Sequence, residues 1–431
     1  MNFLNRMIAR TGVRSENVSL IVDSLCSFFF RIIGASIGFV LSIVVGRQLG
    51  ITEAGYYFFA FSLVTVLASV SGMGMESAVL RFTSESFPEN DWLRIRQVLS
   101  LSSLLCGLAS IIVAVVFYLL SDFLAFKIFD QPSLGAVFRG MSPAIIGINV
   151  LTLFSKSLQG LRKIALSIFF LNISLSLALI VASIALRFSD AVSMSIAFSV
   201  SSFFACLFVY FFWINSIGLG GTKISLRELL LSSNPLWVVT VMTQITQYAG
   251  QLVAGAWVDS DQFAQLAVAQ RTAMLTSFIL AAVNYVVAPK FATLYKKKKL
   301  VELENVAKKS VRIMAAIAFP IAVLMLVFPS YIMSVFGEGF SDGKLFLQIL
   351  VIGQLINVVA GSVGMLLVMS GHEKDFRNSV LFSGPIAIVL AFLLVPIFGA
   401  TGSAVATAVA VAAQNLLCLY WVKRRLRITP W

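Results

Sequence analysis

The chain has 431 residues, of which 59% are hydrophobic and only 12% are charged, and its mean hydropathy is +0.95. Soluble domains carry about 25% charged residues, so this composition excludes a soluble globular protein and predicts an integral membrane protein. The net charge of +13 would suit a nucleic-acid-binding protein. However, the basic residues cluster between apolar segments, which favours a role in membrane topology and no nucleic-acid partner.

Twelve apolar segments are long enough to cross a bilayer, because about 20 helical residues span its hydrocarbon core. We therefore predict an all-α polytopic membrane protein. The predicted spans are approximately 20–45, 54–79, 97–120, 138–158, 164–187, 191–215, 229–257, 263–289, 311–335, 345–369, 378–398 and 400–422.

The distribution of Lys and Arg predicts that both termini lie in the cytoplasm. Of the 32 basic residues, 24 fall on the side of the two termini and only four fall in the opposite loops. Cytoplasmic loops carry such an excess of positive charge. The run of four lysines at 296–299 is interpreted as part of this topology signal, and anionic membrane lipids are its expected partner.

A weak internal repeat relates the two halves of the chain. Gly46 and Gly255 stand at equivalent helix ends with an offset of 209 residues, and Asn149 and Asn357 match at an offset of 208. Six helices duplicated as six give two copies that run the same way through the membrane. We therefore predict two parallel six-helix bundles around a central cavity. The predicted divisions are an N-terminal bundle at 1–217, a cytoplasmic linker at 218–228 and a C-terminal bundle at 229–431.

Two arginines stand inside predicted helices, where a charge that faces lipid costs about 3 kcal/mol or more. Arg31 lies in the first helix on a polar stripe, and Arg271 lies in the eighth helix. We predict that both line a hydrated cavity that binds an anionic cargo. The alternative is an internal salt bridge to Asp23 or Glu76, carboxylates that are also candidates for ion coupling. The stripe of the first helix consists of Ser24, Ser27, Arg31, Gly34, Gly38 and Ser42, at spacings of three and four residues.

Further polar residues in the predicted helices are candidate contacts for a cargo. Glutamines in the membrane need hydrogen-bond partners or water, so close packing of small residues does not account for them. The two basic residues of the fourth helix lie near its ends, where they would equally snorkel to the membrane surface. The candidate residues are Gln244, Gln247, Gln251, Gln270, Asn284, Lys156 and Arg139.

Signals for catalysis or cofactor binding are missing from the sequence. There is no phosphate-binding GxxxxGK[ST] motif, and no outer loop holds paired carboxylates. The four cysteines lie inside apolar segments without metal-ligand spacing, so they are predicted to be core residues. We predict that the protein is no enzyme and that it uses no metal and no cofactor.

The segment GRQLGITEAGYYFFAFSLVTVLASVSGMGMESAVLRF begins at Gly46 and ends at Phe82. It contains a small-Arg-x-Leu-Gly-x-x-x-x-Gly-x-Tyr stretch and, after an apolar helix, Gly-x-x-x-Ala-x-x-Arg. With these motifs the chain resembles bacterial O-antigen and capsule repeat-unit flippases. They belong to the superfamily of multidrug, oligosaccharidyl-lipid and polysaccharide exporters.

The resemblance implies a V-shaped fold of two bundles around a central cavity. It also implies translocation of an undecaprenyl-diphosphate-linked oligosaccharide from the cytoplasmic to the outer leaflet of the bacterial inner membrane, by alternating access. The implied role is surface polysaccharide biosynthesis, with other polysaccharide-assembly proteins as partners. It transfers no contact residue, so the roles of Arg31 and Arg271 rest on physical inference.

Two other functions are alternatives. A multidrug antiporter of the same fold is expected to have an acidic cavity, because its cargo is usually cationic. A membrane polymerase or ligase needs a large outer loop with catalytic residues. The glycan repeat unit and the coupling ion are not specified by the sequence.

Overall fold

The computed structural model describes the backbone of residues 15–217 and 226–431, without the side chains of 15–28, 215–217 and 285. Within these ranges the chain is helical and has no strand, and nine segments are long and apolar enough to cross a membrane. The prediction of an all-α polytopic membrane protein is confirmed. Most of the predicted linker at 218–228 lies outside the described residues, as does the side chain of Asp23.

The described chain contains twelve long helical segments, α1 to α12. In the first half these are α1 (15–49), α2 (51–71, continued by Met75–Ser86), α3 (Trp92–Phe123 and the π-helical turn Leu124–Ile128), α4 (Leu134–Met141 and Ala144–Gly160), α5 (Ile164–Ile168, the π-helical turn Phe169–Ser174 and Leu175–Leu186) and α6 (Ala191–Ile217). In the second half they are α7 (Leu226–Ala254), α8 (Ser260–Lys296), α9 (Leu300–Val327), α10 (Lys344–Ala360 and Val363–Met369), α11 (373–398) and α12 (400–426). Two short turns, Pro329–Ser334 and Phe340–Gly343, connect α9 to α10.

Nine apolar spans account for eleven of the twelve segments, because two spans each contain two helices, and α7 is the twelfth segment. Ser15–Ser71 bends at Gly50 (φ 73°, ψ 174°), and Glu373–Leu426 bends at Gly399 (φ 56°, ψ −136°). These backbone conformations are open essentially to glycine alone, so the chain reverses there without a loop. The helix α7 is long enough to span but is more polar, with Pro235 inside it.

The two ends of the helices differ in charge, and we name them accordingly. The kink side is the end that holds Gly50 and Gly399, and the basic side is the end that holds most Lys and Arg residues. On the basic side α8 continues to Lys296 and α9 begins at Leu300, so the chain between the predicted spans 263–289 and 311–335 is mostly helical and contains only a tight turn. Charged residues extend these helices beyond the apolar spans into water.

The two halves of the chain share a large apolar core on the kink side and far fewer apolar contacts on the basic side. The shared core joins the rings of Phe59 in α2 and Phe263 in α8, whose centroids are 4.9 Å apart. Towards the basic side, a core around Phe154 belongs to the first half together with Leu229 at the start of α7. A separate core around Phe291 belongs to the second half. The halves are therefore joined most extensively on the kink side.

The internal repeat has a counterpart in the hydrogen bonding. Asn149 of α4 donates from Nδ2 to Ser71 at the end of α2, at 2.9 Å, and to Ser110 of α3, at 2.8 Å. Asn357 of α10 donates from Nδ2 to Ser277 of α8, at 3.3 Å. In each half, the equivalent asparagine ties the fourth helix to the second. The exact limits of the two bundles stay a prediction.

Candidate functional site

A cavity of about 330 Å³ lies between α1, α5 and α8, beside the shared core. Arg31 and Arg271 both line it, and Gly34, Gly38 and Ser42 of the α1 stripe lie between them. Its described lining contains no carboxylate. The helical periodicity of α1 therefore brings the described part of its polar stripe, residues 31–42, onto one wall of a cationic cavity.

Two glycines of α1 shape this wall in different ways. A Cβ atom at Gly34 would lie 2.7 Å from the Cβ of Asn172, so the lack of a side chain permits α1 and α5 to approach closely. A Cβ atom at Gly38 would meet nothing within 4 Å, so this position opens directly into the cavity. Small residues thus both close the helix contact and leave room for a ligand.

Aromatic rings and one hydroxyl hold Arg271 in place, without a carboxylate. Its guanidinium carbon lies 4.4 Å from the ring centroid of Phe58 and 4.5 Å from that of Phe61, and its Nη1 donates to Ser42 Oγ at 3.3 Å. Tyr57 and Tyr248 lie within electrostatic reach. Among the described side chains, no ion pair includes Arg271. Ring faces stabilise the cation but accept few hydrogen bonds, so most of its five N–H donors stay available to an anion.

The two arginines lie at different depths. At about 1.5 Å per residue, Arg271 is about 16 Å along α8 from its kink-side end, near the middle of a hydrocarbon core about 30 Å thick. Arg31 is about 28 Å along α1 from Gly50, so it lies nearer the basic side than its place in the apolar stretch suggested. The cavity therefore extends from the membrane centre towards the basic side.

A second group of charges lies towards the basic side. Lys156 of α4 interacts electrostatically with Glu76 and with Arg31, and its Nζ donates to Gln159 Oε1 at 3.3 Å. Glu76 Oε1 accepts a hydrogen bond from Thr240 of α7 at 3.4 Å. Glu76 therefore faces Lys156 and Thr240. A pair of Arg31 with Asp23 or with Glu76 stays an alternative, and the side chain of Asp23 lies outside the described residues.

The glutamines of α7 and α8 do not line the cavity. Gln251 accepts from Ser62 Oγ of α2 at 2.6 Å and donates from Nε2 to Gln270 Oε1 at 2.7 Å, and both glutamines are buried. Gln270 donates in turn to the carbonyl oxygen of Gln247 at 2.8 Å. The α7 stripe thus joins α7 to α8 and to α2 of the other half. In this conformation these amides are engaged within the protein.

The other candidates also lie outside the cavity lining. Arg139 forms an exposed ion pair with Asp122 on the kink side, with 2.9 Å between Nη1 and Oδ2. Asn284 has a buried Oδ1 without a hydrogen-bond partner among the described atoms, and Gln244 lies half-buried on α7. Substrate contact by these residues stays a prediction, while the cavity itself brings together Arg31 and Arg271.

Sequence reasoning missed two polar residues of the cavity, Asn172 and Tyr248. Asn172 is an asparagine in a strongly apolar helix, which was a usable signal. Tyr248 follows Gln244 by one helical turn and was hidden among the more conspicuous glutamines. The positions of Phe58 and Phe61 against Arg271 depend on how α2 packs on α8, which periodicity does not specify.

The comparisons place the chain among polysaccharide-related membrane proteins. A family described as polysaccharide biosynthesis protein matches residues 44–342, which is more than half of the chain. No curated protein matches it by sequence.

Solved structures of transporters share its fold. The lipid II flippase MurJ in an inward closed conformation has a TM-score of 0.74 at 17% identity, over 94% of this chain and 87% of that one. An inward-facing multidrug resistance MATE family transporter has a TM-score of 0.71 at 15% identity, over 94% and 98% of the two chains. A third, from Pyrococcus furiosus, has a TM-score of 0.67 at 15% identity, over 94% and 95%. It is described as having a binding pocket of reverse polarity, which suggests a different function. These likenesses confirm the predicted fold.

Proposed function

The chain belongs to the polysaccharide biosynthesis protein family, and we propose that it is a flippase for an undecaprenyl-diphosphate-linked oligosaccharide. The cargo would move from the cytoplasmic to the outer leaflet of the bacterial inner membrane. On this proposal the basic side is cytoplasmic together with both termini, because the sequence assigns 24 of the 32 basic residues to that side. The kink side then faces outwards.

The observation that carries the proposal is Arg271. Its positively charged guanidinium lies near the membrane centre against two ring faces, and none of the described ion pairs gives it an acidic partner. Such a charge is costly to keep unless it serves a function. A guanidinium binds phosphate oxygens in bidentate fashion, so a diphosphate is a suitable ligand. Arg31, which lines the same cavity, would bind the other phosphate of the diphosphate or contact it at another stage of transport.

The closure on the kink side supports loading from the basic side. Ser260 Oγ donates to the carbonyl oxygen of Thr52 at 2.5 Å, and Arg47 Nε donates to that of Val335 at 2.8 Å. Both hydrogen bonds cross between the halves. Rocking of one half against the other would break them and open the cavity outwards, as in alternating access.

Multidrug transporters have the same fold, so the fold does not distinguish a drug transporter from a flippase. The charge of the cavity does. A cavity for cationic drugs would need acidic groups, whereas the described lining here holds two arginines and no carboxylate. We therefore favour an anionic cargo over a drug.

The proposal is tested with purified protein in liposomes that contain undecaprenyl-diphosphate-linked oligosaccharide. A glycosidase added outside measures how fast the inner pool becomes accessible. Arg271→Ala should bind undecaprenyl diphosphate about 10- to 150-fold more weakly, since a hydrogen bond to a charged group contributes about 1.5–3 kcal/mol. Arg271→Lys keeps the charge but loses the planar fork, so it should retain part of the activity.

Arg312→Ala is the matched control, because it removes an exposed arginine that does not line the cavity. It should behave as the wild type does. Normal flipping by a folded Arg271→Ala protein would refute the role of the cavity. Failure of the wild type to bind undecaprenyl diphosphate, together with transport of a cationic drug, would refute the proposed cargo.

A further inference from the structure

A second, larger cavity lies on the surface of the first half, as a groove between α5 and α6 with a volume of about 1040 Å³. We propose that this groove holds the long isoprenoid chain of the lipid carrier while the diphosphate occupies the cationic cavity. The inference rests on the proposed function, because that function supplies the cargo.

The floor and walls of the groove follow from helical spacing. Along α6, Ala197, Ser201 and Ala205 recur every four residues and form a floor of small side chains. Phe204 and Phe208 form a wall that is 56% and 61% exposed. Small residues usually let two helices pack closely, but here α5 and α6 leave a gap between large side chains.

The groove presents apolar surface and almost no free polar groups. The hydroxyl of Ser174 donates to the carbonyl oxygen of Phe170 in its own helix at 2.9 Å, and that of Ser193 donates to Asp190 Oδ1 at 2.9 Å. A ligand in the groove is therefore bound by shape and dispersion. An extended hydrocarbon chain meets this requirement, and a sugar does not.

The length of the groove matches the membrane. From Ser193 to Phe212 it follows α6 for about 28 Å, close to the hydrocarbon thickness of about 30 Å. A chain that lies in it would stay within the hydrocarbon region over its whole length. Its volume is at the upper limit of the roughly 300–1,000 Å³ of small-molecule sites, as a long chain requires.

The groove adjoins the cationic cavity through one turn of α5. In the π-helical turn Phe169–Ser174, Phe170 and Ser174 line the groove while Leu171 and Asn172 line the cavity. Such π-helical turns occur frequently at functional sites. A single molecule can therefore place its headgroup on one side of this turn and its hydrocarbon chain on the other. This continuity favours the carrier lipid over an ordinary phospholipid or a second copy of the chain.

The groove gains little from the hydrophobic effect, because bulk lipid is as apolar as its walls. Its benefit is to hold the headgroup beside the cavity at a high effective concentration. We therefore expect the wild type to bind undecaprenyl diphosphate about tenfold more tightly than farnesyl diphosphate, which has the same headgroup on a short chain.

The test measures the affinities of groove-filling and control variants in nanodiscs for these two diphosphates. Ala178→Phe and Ala197→Phe fill the groove, whereas Ala185→Phe adds the same ring to an exposed site on α5 that does not line it. The groove variants should lose the preference for the long chain and keep the affinity for farnesyl diphosphate. Ala185→Phe should keep both.

Photocrosslinking gives a second measurement that does not depend on substitutions. Undecaprenyl diphosphate with a diazirine on its chain should label residues of the groove, and unlabelled undecaprenyl diphosphate should compete where phosphatidylglycerol does not. Equal competition by phosphatidylglycerol, or labelling elsewhere, would overturn the inference. Disulfide cross-linking of two copies that carry Phe208→Cys, after addition of an oxidant, would overturn it as well. If farnesyl diphosphate binds in an Arg271-dependent manner in those cases, the proposed function stands without the groove. If neither diphosphate binds the wild type, the proposed function itself fails.

Discussion

The hydrogen bond from Ser62 Oγ to Gln251 Oε1 joins the two halves, and removing it tests how they are held together. It joins α2 to α7 at 2.6 Å, and both side chains are buried. Ser62→Ala removes this bond and leaves the oxygen of Gln251 without its donor. The loss affects the conformation that is closed on the kink side, so the population of the opposite, open conformation should rise.

The size of the shift follows from hydrogen-bond energies measured in membranes. Such bonds average about 0.6 kcal/mol and reach about 1.7 kcal/mol, which corresponds to about a 3- to 18-fold rise in the ratio of open to closed protein. The bond to the carbonyl oxygen of Phe58, which Ser62 also makes at 2.9 Å, lies within α2 and does not distinguish the conformations.

The assay follows a cysteine that is buried by the closure. Val258 is only 8% exposed in the shared core, so Val258→Cys, with the four native cysteines replaced by alanine, should react with maleimide only after opening. When opening is fast, the labelling rate tracks the open population and should rise about 3- to 18-fold in Ser62→Ala. Ser69→Ala is the matched control, because among the described residues the Ser69 hydroxyl donates only to the carbonyl oxygen of Val66 in its own helix.

An unchanged labelling rate in a stable Ser62→Ala protein would refute this reasoning. An equal rise in Ser69→Ala would refute it as well, since the effect would then come from loosening α2 alone.

Three further predictions concern the cavity, the repeat and the surface. Gly38→Leu should fold normally but block transport by filling the cavity, while Gly107→Leu, where an added Cβ also meets nothing within 4 Å, should leave transport intact. Asn149→Ala should lower the free energy of unfolding by about 1–2 kcal/mol and Asn357→Ala by less than about 1 kcal/mol, because Asn149 makes shorter bonds in a more buried place. Thermal unfolding in detergent checks both, and equal losses would contradict the comparison. Arg139→Ala should lower the free energy of unfolding by at most about 1 kcal/mol, since its ion pair with Asp122 is exposed, and a loss of flipping by the folded variant would support its predicted contact with the substrate.

Hydrophobic length and helical periodicity were enough to predict the architecture and one wall of the cavity. The stripe of α1 placed Arg31, Gly34, Gly38 and Ser42 on one face, and these four residues line the cavity. The internal repeat placed Arg31 in the first half of the chain and Arg271 in the second half, around the same predicted cavity. These features depend on local spacing, which the sequence contains directly.

Features that depend on pairing between distant helices were not predictable. The glutamines of α7 resembled ligand contacts, but Gln251 is engaged by Ser62 and Gln270 because of how α2, α7 and α8 pack. The contacts of Glu76 with Thr240 and Lys156 also depend on how α2, α4 and α7 pack, so the sequence did not indicate them. The π-helical turn of α5 also has no clear sequence signal, since its residues are as apolar as their neighbours.

The contact between Thr52 and Asp261 has a consequence for symmetry. Thr52 Oγ1 donates to Asp261 Oδ1 at 2.7 Å, and the two residues are 209 positions apart, which is the offset of the internal repeat. In a two-fold assembly, equivalent positions touch each other only on the rotation axis. The kink-side closure therefore lies on the pseudo-two-fold axis of the molecule. An unduplicated six-helix ancestor could have formed the same closure as an isologous homodimer, with the cavity made jointly by two identical chains.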